Sequence, residues 1–132
     1  MLAFTASSMA AEVEVKMVNS GPMGKMTFDP ALVQIQPGDS VHFIPADKGH
    51  DVDTIPGMLP DGAQPFKSGI SQDLTVKFDV EGVYGYKCDP HFPMGMVGVV
   101  VVGKPVNLDA VKAVKVAPLA SARLQTLFGE IK

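Results

Sequence analysis

Between Glu12 and Met17 apolar and charged residues alternate, with Val13, Val15 and Met17 set between Glu12, Glu14 and Lys16. A period of two puts each set on one face of an extended chain, so the segment predicts a half-buried strand. Short strands follow over Lys25–Phe28, stopping at Asp29-Pro30, and over Leu32–Gln36 and Val41–Ile44, which flank the turn Pro37-Gly38-Asp39. Leu74, Val76, Phe78 and Val80 alternate with Thr75, Lys77 and Asp79, the clearest half-buried strand of the chain. Val83–Lys87 comes next, and Met96–Val102 is apolar on both faces, which predicts a central strand covered twice. Between Ile55 and Gln72 the alternation is broken by Pro56, Gly57, Pro60, Gly62, Pro65 and Gly69, the pattern of a long surface loop. Seven or eight short strands at this spacing predict an all-β fold, an antiparallel Greek-key β-sandwich.

After Pro105 the period lengthens. Asn107 is placed to cap a short helix carrying Leu108, Val111 and Val114. Pro118 is placed to open a second, with Leu119, Ala122, Leu124, Leu127 and Phe128 as a mostly apolar face and Gly129 at its end. Two C-terminal helices of this kind would cover one open face of the sandwich, over the 96–102 strand.

Composition narrows the function. A chain of 132 residues suits one domain, and 46% hydrophobic with 19% charged residues is a globular balance. A net charge of −3 excludes a strongly basic nucleic-acid binder. The opening Met1–Ala10 is apolar, small and uncharged, and Ser8-Met9-Ala10 reads as a small-x-small cleavage site. Residues 1–10 are therefore read as the remnant of a secretory signal and 11–132 as the single domain. No later stretch approaches the ~20 apolar residues of a membrane helix, so a soluble periplasmic protein is expected. The one cysteine, Cys88, has no partner for a disulfide, and in an exported protein a metal is its simplest occupant.

The loop Tyr86-Lys-Cys88-Asp-Pro-His91-Phe-Pro-Met94-Gly-Met96 supplies that metal with donors. A thiolate, imidazoles and a weak axial thioether form the donor set of an electron-transfer copper centre. Pro90 and Pro93 stiffen the loop on either side of His91, and Gly95 lets the backbone turn. His50, in the polar stretch Asp47–Asp51, is the favoured missing imidazole, whereas His42 alternates with Val41 and Phe43 and reads as a strand-surface residue. Met96 is chosen over Met94 because it begins a strand and is tied to the scaffold. A Cys88–His91 nucleophile pair lacks an orienting or oxyanion motif, which leaves a small hydrolase remote. Structural zinc prefers more cysteines and rarely takes a thioether.

The run Phe28-Asp-Pro-x-x-Val33-x-Ile35-x-Pro-Gly-Asp39-x-Val41-x-Phe43, then Gly49-His50, then Tyr86-x-Cys88-x-x-His91-x-x-Met94-Gly-Met96-x-Gly98 resembles the blue copper proteins, or cupredoxins. The loop spacing and the helical tail are most similar to the pseudoazurin branch of that family. The resemblance covers about residues 12 to 130. It implies one type 1 copper per chain held by His50, Cys88, His91 and Met96, with Asn19 among the polar residues around the site. It also implies a non-enzymatic, periplasmic one-electron carrier that donates to a copper nitrite reductase in denitrification or exchanges electrons with c-type cytochromes, and a carrier of transient partners is expected to be monomeric. Partners would dock at an apolar patch around the His91 edge, with area from Met26, Pro45, Pro90, Phe92, Pro93 and Met94, ringed by Lys48, Lys67 and Lys87. Relatives usually carry Asn after the first histidine, where this chain has Asp51. An ionised Asp51 is expected to favour Cu(II) and lower the potential, and to lack the amide's donor. The rival reading is a copper-binding or delivery protein, which would need open, exchangeable ligands.

Overall fold

The computed structural model describes residues 9–132. The expected leader in residues 1–10 falls mostly outside them. Eight strands run in chain order: β1 Glu12–Gly21, β2 Gly24–Asp29, β3 Leu32–Ile35, β4 Ser40–Pro45, β5 Asp53–Thr54, β6 Leu74–Lys77, β7 Gly82–Lys87 and β8 Val97–Val102. They form two four-stranded sheets, ordered β2-β1-β4-β6 and β3-β8-β7-β5. A single 3-10 turn, Phe92–Met94, precedes β8, and the helices α1 Leu108–Lys112 and α2 Pro118–Gly129 close the chain.

The sandwich is mixed rather than antiparallel, because β1 pairs with β4 and β3 with β8 in parallel. Each parallel pair joins strands distant in sequence across the ends of the sandwich, so turn spacing alone does not reveal it. The strand expected over 74–80 ends at Lys77. Beyond it Phe78 exchanges backbone bonds with the 37–39 turn, its N–H reaching Asp39 O at 2.9 Å and its carbonyl accepting from Gly38 N at 2.7 Å. The 55–72 stretch is largely irregular as expected. Just before it, β5 is a two-residue strand on β7.

Val15 and Met17 of β1, Val33 and Ile35 of β3, Val41 and Phe43 of β4, and Tyr84 and Tyr86 of β7 meet in one buried cluster between the sheets. β8 explains its own composition. Val100 and Val102 join that inner core, whereas Val97, Val99 and Val101 lie in a second core with Ala120, Leu124, Leu127 and Phe128 of α2. Each buried valine contributes roughly 1.5–3 kcal/mol, so a strand covered on both faces is stabilised from both. The buried positions of α2 repeat at i, i+4, i+7 and i+8, one face of a helix.

Two helical expectations are corrected. Leu119 and Ala122 are exposed, because the 100° step of the helix turns them away from the face that Ala120 and Leu124 bury. Asn107 precedes α1 but makes no capping bond. Its side-chain amide instead binds β7, accepting from Val83 N at 2.6 Å and donating to Val83 O at 3.0 Å.

On β7 the inward row runs Tyr84, Tyr86, and the same period of two, carried one residue past the strand's end, aims the Cys88 thiol into the core. Tyr86 packs edge-on against Phe28 at 4.8 Å and Phe43 at 5.1 Å. Gly98 makes room for that ring, since a Cβ there would stand 2.5 Å from the phenol. The aromatic floor beneath the cysteine is thus fixed by packing.

Candidate metal centre

His50 lies on the loop after β4, and Gly49 before it has φ 91°, a left-handed turn that suits glycine. The loop is tied by bonds from elsewhere in the chain. Asp47 Oδ2 accepts from Asn19 N at 2.8 Å, Ser71 Oγ accepts from Gly49 N at 2.8 Å, and His50 O accepts from Ser71 N at 2.8 Å. The second loop is tied mainly to itself. His91 N donates to Cys88 O at 3.2 Å, Met96 N to His91 O at 3.2 Å, Cys88 N to Met96 O at 3.0 Å and Gly95 N to Phe92 O at 2.8 Å. Pro93 within the 3-10 turn holds one φ of the tip.

The two loops bring three donors together. His50 Nδ1 stands 3.7 Å from Cys88 Sγ and 3.1 Å from His91 Nδ1, and Cys88 Sγ is 3.5 Å from His91 Nδ1. His50 Nε2 lies 2.8 Å from Asn19 Oδ1, an oxygen that can only accept. His50 therefore donates through Nε2 and turns the lone pair of Nδ1 toward Cys88 and His91. Two imidazole nitrogens and a sulfur at these separations match ligands on one shared ion, since bonds of about 2.0–2.3 Å set donors some 3–4 Å apart. His50 and Cys88 are fully buried and His91 is half-buried. Met96 is also fully buried, in the same cluster as Cys88, whereas Met94 is 42% exposed. His42 lies elsewhere, its Nε2 2.9 Å from Asp73 Oδ2, as its strand-surface reading expects.

The plastocyanin/azurin family of copper-binding proteins matches residues 15–103. The chain is similar to pseudoazurin of Methylorubrum extorquens, 56% identical over 99% of this chain and 89% of the relative, and to that of Paracoccus pantotrophus, 45% identical over 99% and 91%. The crystal structure of pseudoazurin from Methylobacterium extorquens AM1 superposes with a TM-score of 0.89 at 58% identity, covering 92% of this chain and 99% of that one. The chain belongs to the pseudoazurins. It is a cupredoxin electron carrier and not an enzyme, and its cofactor is copper.

Electrostatics suit a metal better than a nucleophile. Burial pushes the Cys88 thiol up to about 11, against the pull of the Asp51 and His91 backbone N–H groups. A thiol held neutral is a poor nucleophile, and a metal that binds it displaces its proton. Burial and then the neighbouring His91 lower His50, which keeps its imidazole neutral and its lone pair free.

Asp51 is buried beside the ligands, and its Oδ1 accepts from Asp89 N at 2.6 Å. The carboxylate thus joins the two ligand loops as an acceptor. Burial raises Asp51 and Asp53. Burial would raise Asp89 too, but the bonds from Lys87 and Lys67 outweigh it and hold it at about 2. Lys87 Nζ lies 2.9 Å from Asp89 Oδ1 and Lys67 Nζ 3.3 Å from Asp89 Oδ2. Two of the three lysines expected around the docking patch are therefore paired with one carboxylate. Sequence reading missed this pairing, and it missed Arg123, a cation in mid-helix whose partners lie 28 to 98 residues away and so leave no local spacing to read.

Proposed function

We propose that His50, Cys88, His91 and Met96 hold one type 1 copper and that the chain is a periplasmic one-electron donor to a reductase such as a copper nitrite reductase. One observation carries the ligand set: two imidazole nitrogens and a thiol sulfur lie 3.1–3.7 Å apart in a pocket built by two braced loops. Met96 completes it because its backbone is bonded to both Cys88 and His91 and its side chain is buried. When bound, copper supplies the Cu(I)/Cu(II) one-electron couple. Cys88 gives electrons a covalent route from the core, and His91, the half-buried ligand, presents the edge that faces a partner.

Around that edge Pro90, Pro93 and Met94 are exposed, and Phe92 is half-buried with Lys87 Nζ 5.0 Å from its ring centroid. A small apolar patch with few free charges suits a partner that must leave quickly. Burial of three of the four ligands argues against a delivery protein. Residues 11–132 are proposed as one monomeric domain, with 1–10 the remnant of an export signal. N-terminal sequencing of the secreted protein checks the cleavage point, and size-exclusion chromatography the monomer.

Adding Cu(II) to the purified protein should give an intense visible thiolate-to-copper band, which Cys88→Ala abolishes. A weak d–d band alone would refute the ligand set. Rapid electron transfer from the reduced protein to a copper nitrite reductase, against none to an unrelated oxidoreductase, tests the partner.

A further inference from the structure

Arg123 is half-buried at the middle of α2. Its Nη1 donates to Met26 O at 2.7 Å and to Gly95 O at 3.1 Å, and its Nη2 donates to Lys25 O at 2.7 Å. One guanidinium thus joins three carbonyls from two segments distant in sequence. A planar fork with several N–H donors reaches carbonyls on two segments at once, which a compact ammonium does only in part.

Gly95 is the residue before Met96. It has φ 87°, and a Cβ on it would stand 3.0 Å from the carbonyl carbon and oxygen of Leu119. The loop therefore rests on α2 twice, by backbone contact at Leu119 and by the Arg123 bond. Met96 in turn shares backbone bonds with both His91 and Cys88. A displacement of Gly95 passes directly to Met96 and reaches two further ligand residues.

We propose that Arg123 is a positioning residue for the metal centre: by holding the Gly95 carbonyl it fixes the stance of the Met96 thioether. The inference rests on the copper reading with Met96 among its ligands. An axial thioether tunes the potential of such a centre, and groups behind the ligands hold them in orientation. The C-terminal helix then braces the centre as well as covering the sheet.

A fastening role alone, α2 held to β2 through Lys25 and Met26, predicts lost stability and an unchanged centre. The two are separated with Arg123→Met, Arg123→Gln and Arg123→Lys, and with Leu127→Ala as control. Leu127 is buried in the second core and makes no bond to the loop. Each variant is read by its copper charge-transfer spectrum, its reduction potential and its thermal midpoint, and the metal-free protein by amide exchange at Met96. We expect Arg123→Met to change the ratio of the charge-transfer bands, shift the potential and speed exchange at Met96, with partial return in Arg123→Lys. Leu127→Ala should lower the midpoint and leave spectrum and potential in place. The proposal is overturned if Arg123→Met keeps the original spectrum and potential, or if Leu127→Ala moves them equally. Should Arg123→Met not fold, Arg123→Gln decides on the same terms. If the unaltered protein shows no thiolate-to-copper band, the copper reading itself fails, and that outcome is distinct.

Discussion

The two loops that carry the ligands are braced in opposite ways. The 88–96 loop is closed mostly by its own backbone, with four bonds linking Cys88, His91, Phe92, Gly95 and Met96 to one another. The loop bearing His50 has few internal bonds and is held by Asn19, Ser71 and Asp47 through side chains. The first is rigid by local design, and the second takes its rigidity from the rest of the sandwich. Both are needed, because a centre that changes oxidation state works fastest when neither loop has to move.

The largest effect separates the loops by chemistry. Cys88→Ser should abolish the thiolate-to-copper band completely, checked by visible spectroscopy, because an alcohol does not replace a thiolate for a soft ion. Next comes the brace of the other loop. Asn19→Ala removes the acceptor that fixes the His50 ring, and copper affinity should fall about 10–100-fold, as for other partners behind a metal ligand. Competition titration with a chelator measures it, and an unchanged affinity would show that the loop is rigid without its remote brace.

That contrast also explains what the chain betrays of itself. Cys88, His91 and Met96 are legible because their constraints are local, and spacing along the chain is what a sequence displays. The same holds for β8, whose unbroken apolar run announced a strand buried on both faces. His50 sits in a polar stretch and is identified only as the piece that completes a donor set. The bond from Arg123 to Gly95 spans 28 residues and those to β2 span 97 and 98. No periodicity encodes such pairings. Leu119 misled for a related reason, since an apolar residue on a helix need not lie on its buried stripe, and this one is 59% exposed beside the metal loop.

Asp51 joins the two loops, and its charge can be removed without its bond. Asp51→Asn keeps an oxygen for Asp89 N–H, so the tie should persist. Loss of a nearby negative charge should raise the reduction potential by roughly 50–100 mV, taking a unit charge about 10 Å away at an effective dielectric near 20. Voltammetry reads the sign, and a drop would refute the charge argument. Smaller still is the effect of Asp89→Asn on the outer side of the tie. It frees Lys67 and Lys87 from their shared carboxylate, so association with an acidic partner should quicken a few-fold at low salt and depend more steeply on ionic strength. Stopped-flow electron transfer across a salt series tests it, and stability should change by less than about 1 kcal/mol, as these lysine pairs reach the surface.

The smallest expected effect lies at the far end of the remote brace. Ser71, which holds the His50 loop, is followed two residues later by Asp73, whose carboxylate meets His42 Nε2 at 2.9 Å. The bond to His42 and then the backbone hold Asp73 below its ordinary 3.8. A carboxyl lowered in the folded state adds stability above the unfolded value, and that stability is lost as pH falls through the lower folded one. Asp73→Asn should therefore lower stability slightly at neutral pH and move the acid unfolding midpoint slightly upward, with the difference vanishing in stronger acid, and the effect is small because Asp73 is exposed and its pair is screened. Acid titration of both proteins by circular dichroism checks the direction. If the midpoint stays in place, the brace of the His50 loop ends at Ser71 and draws nothing from the strand beyond it.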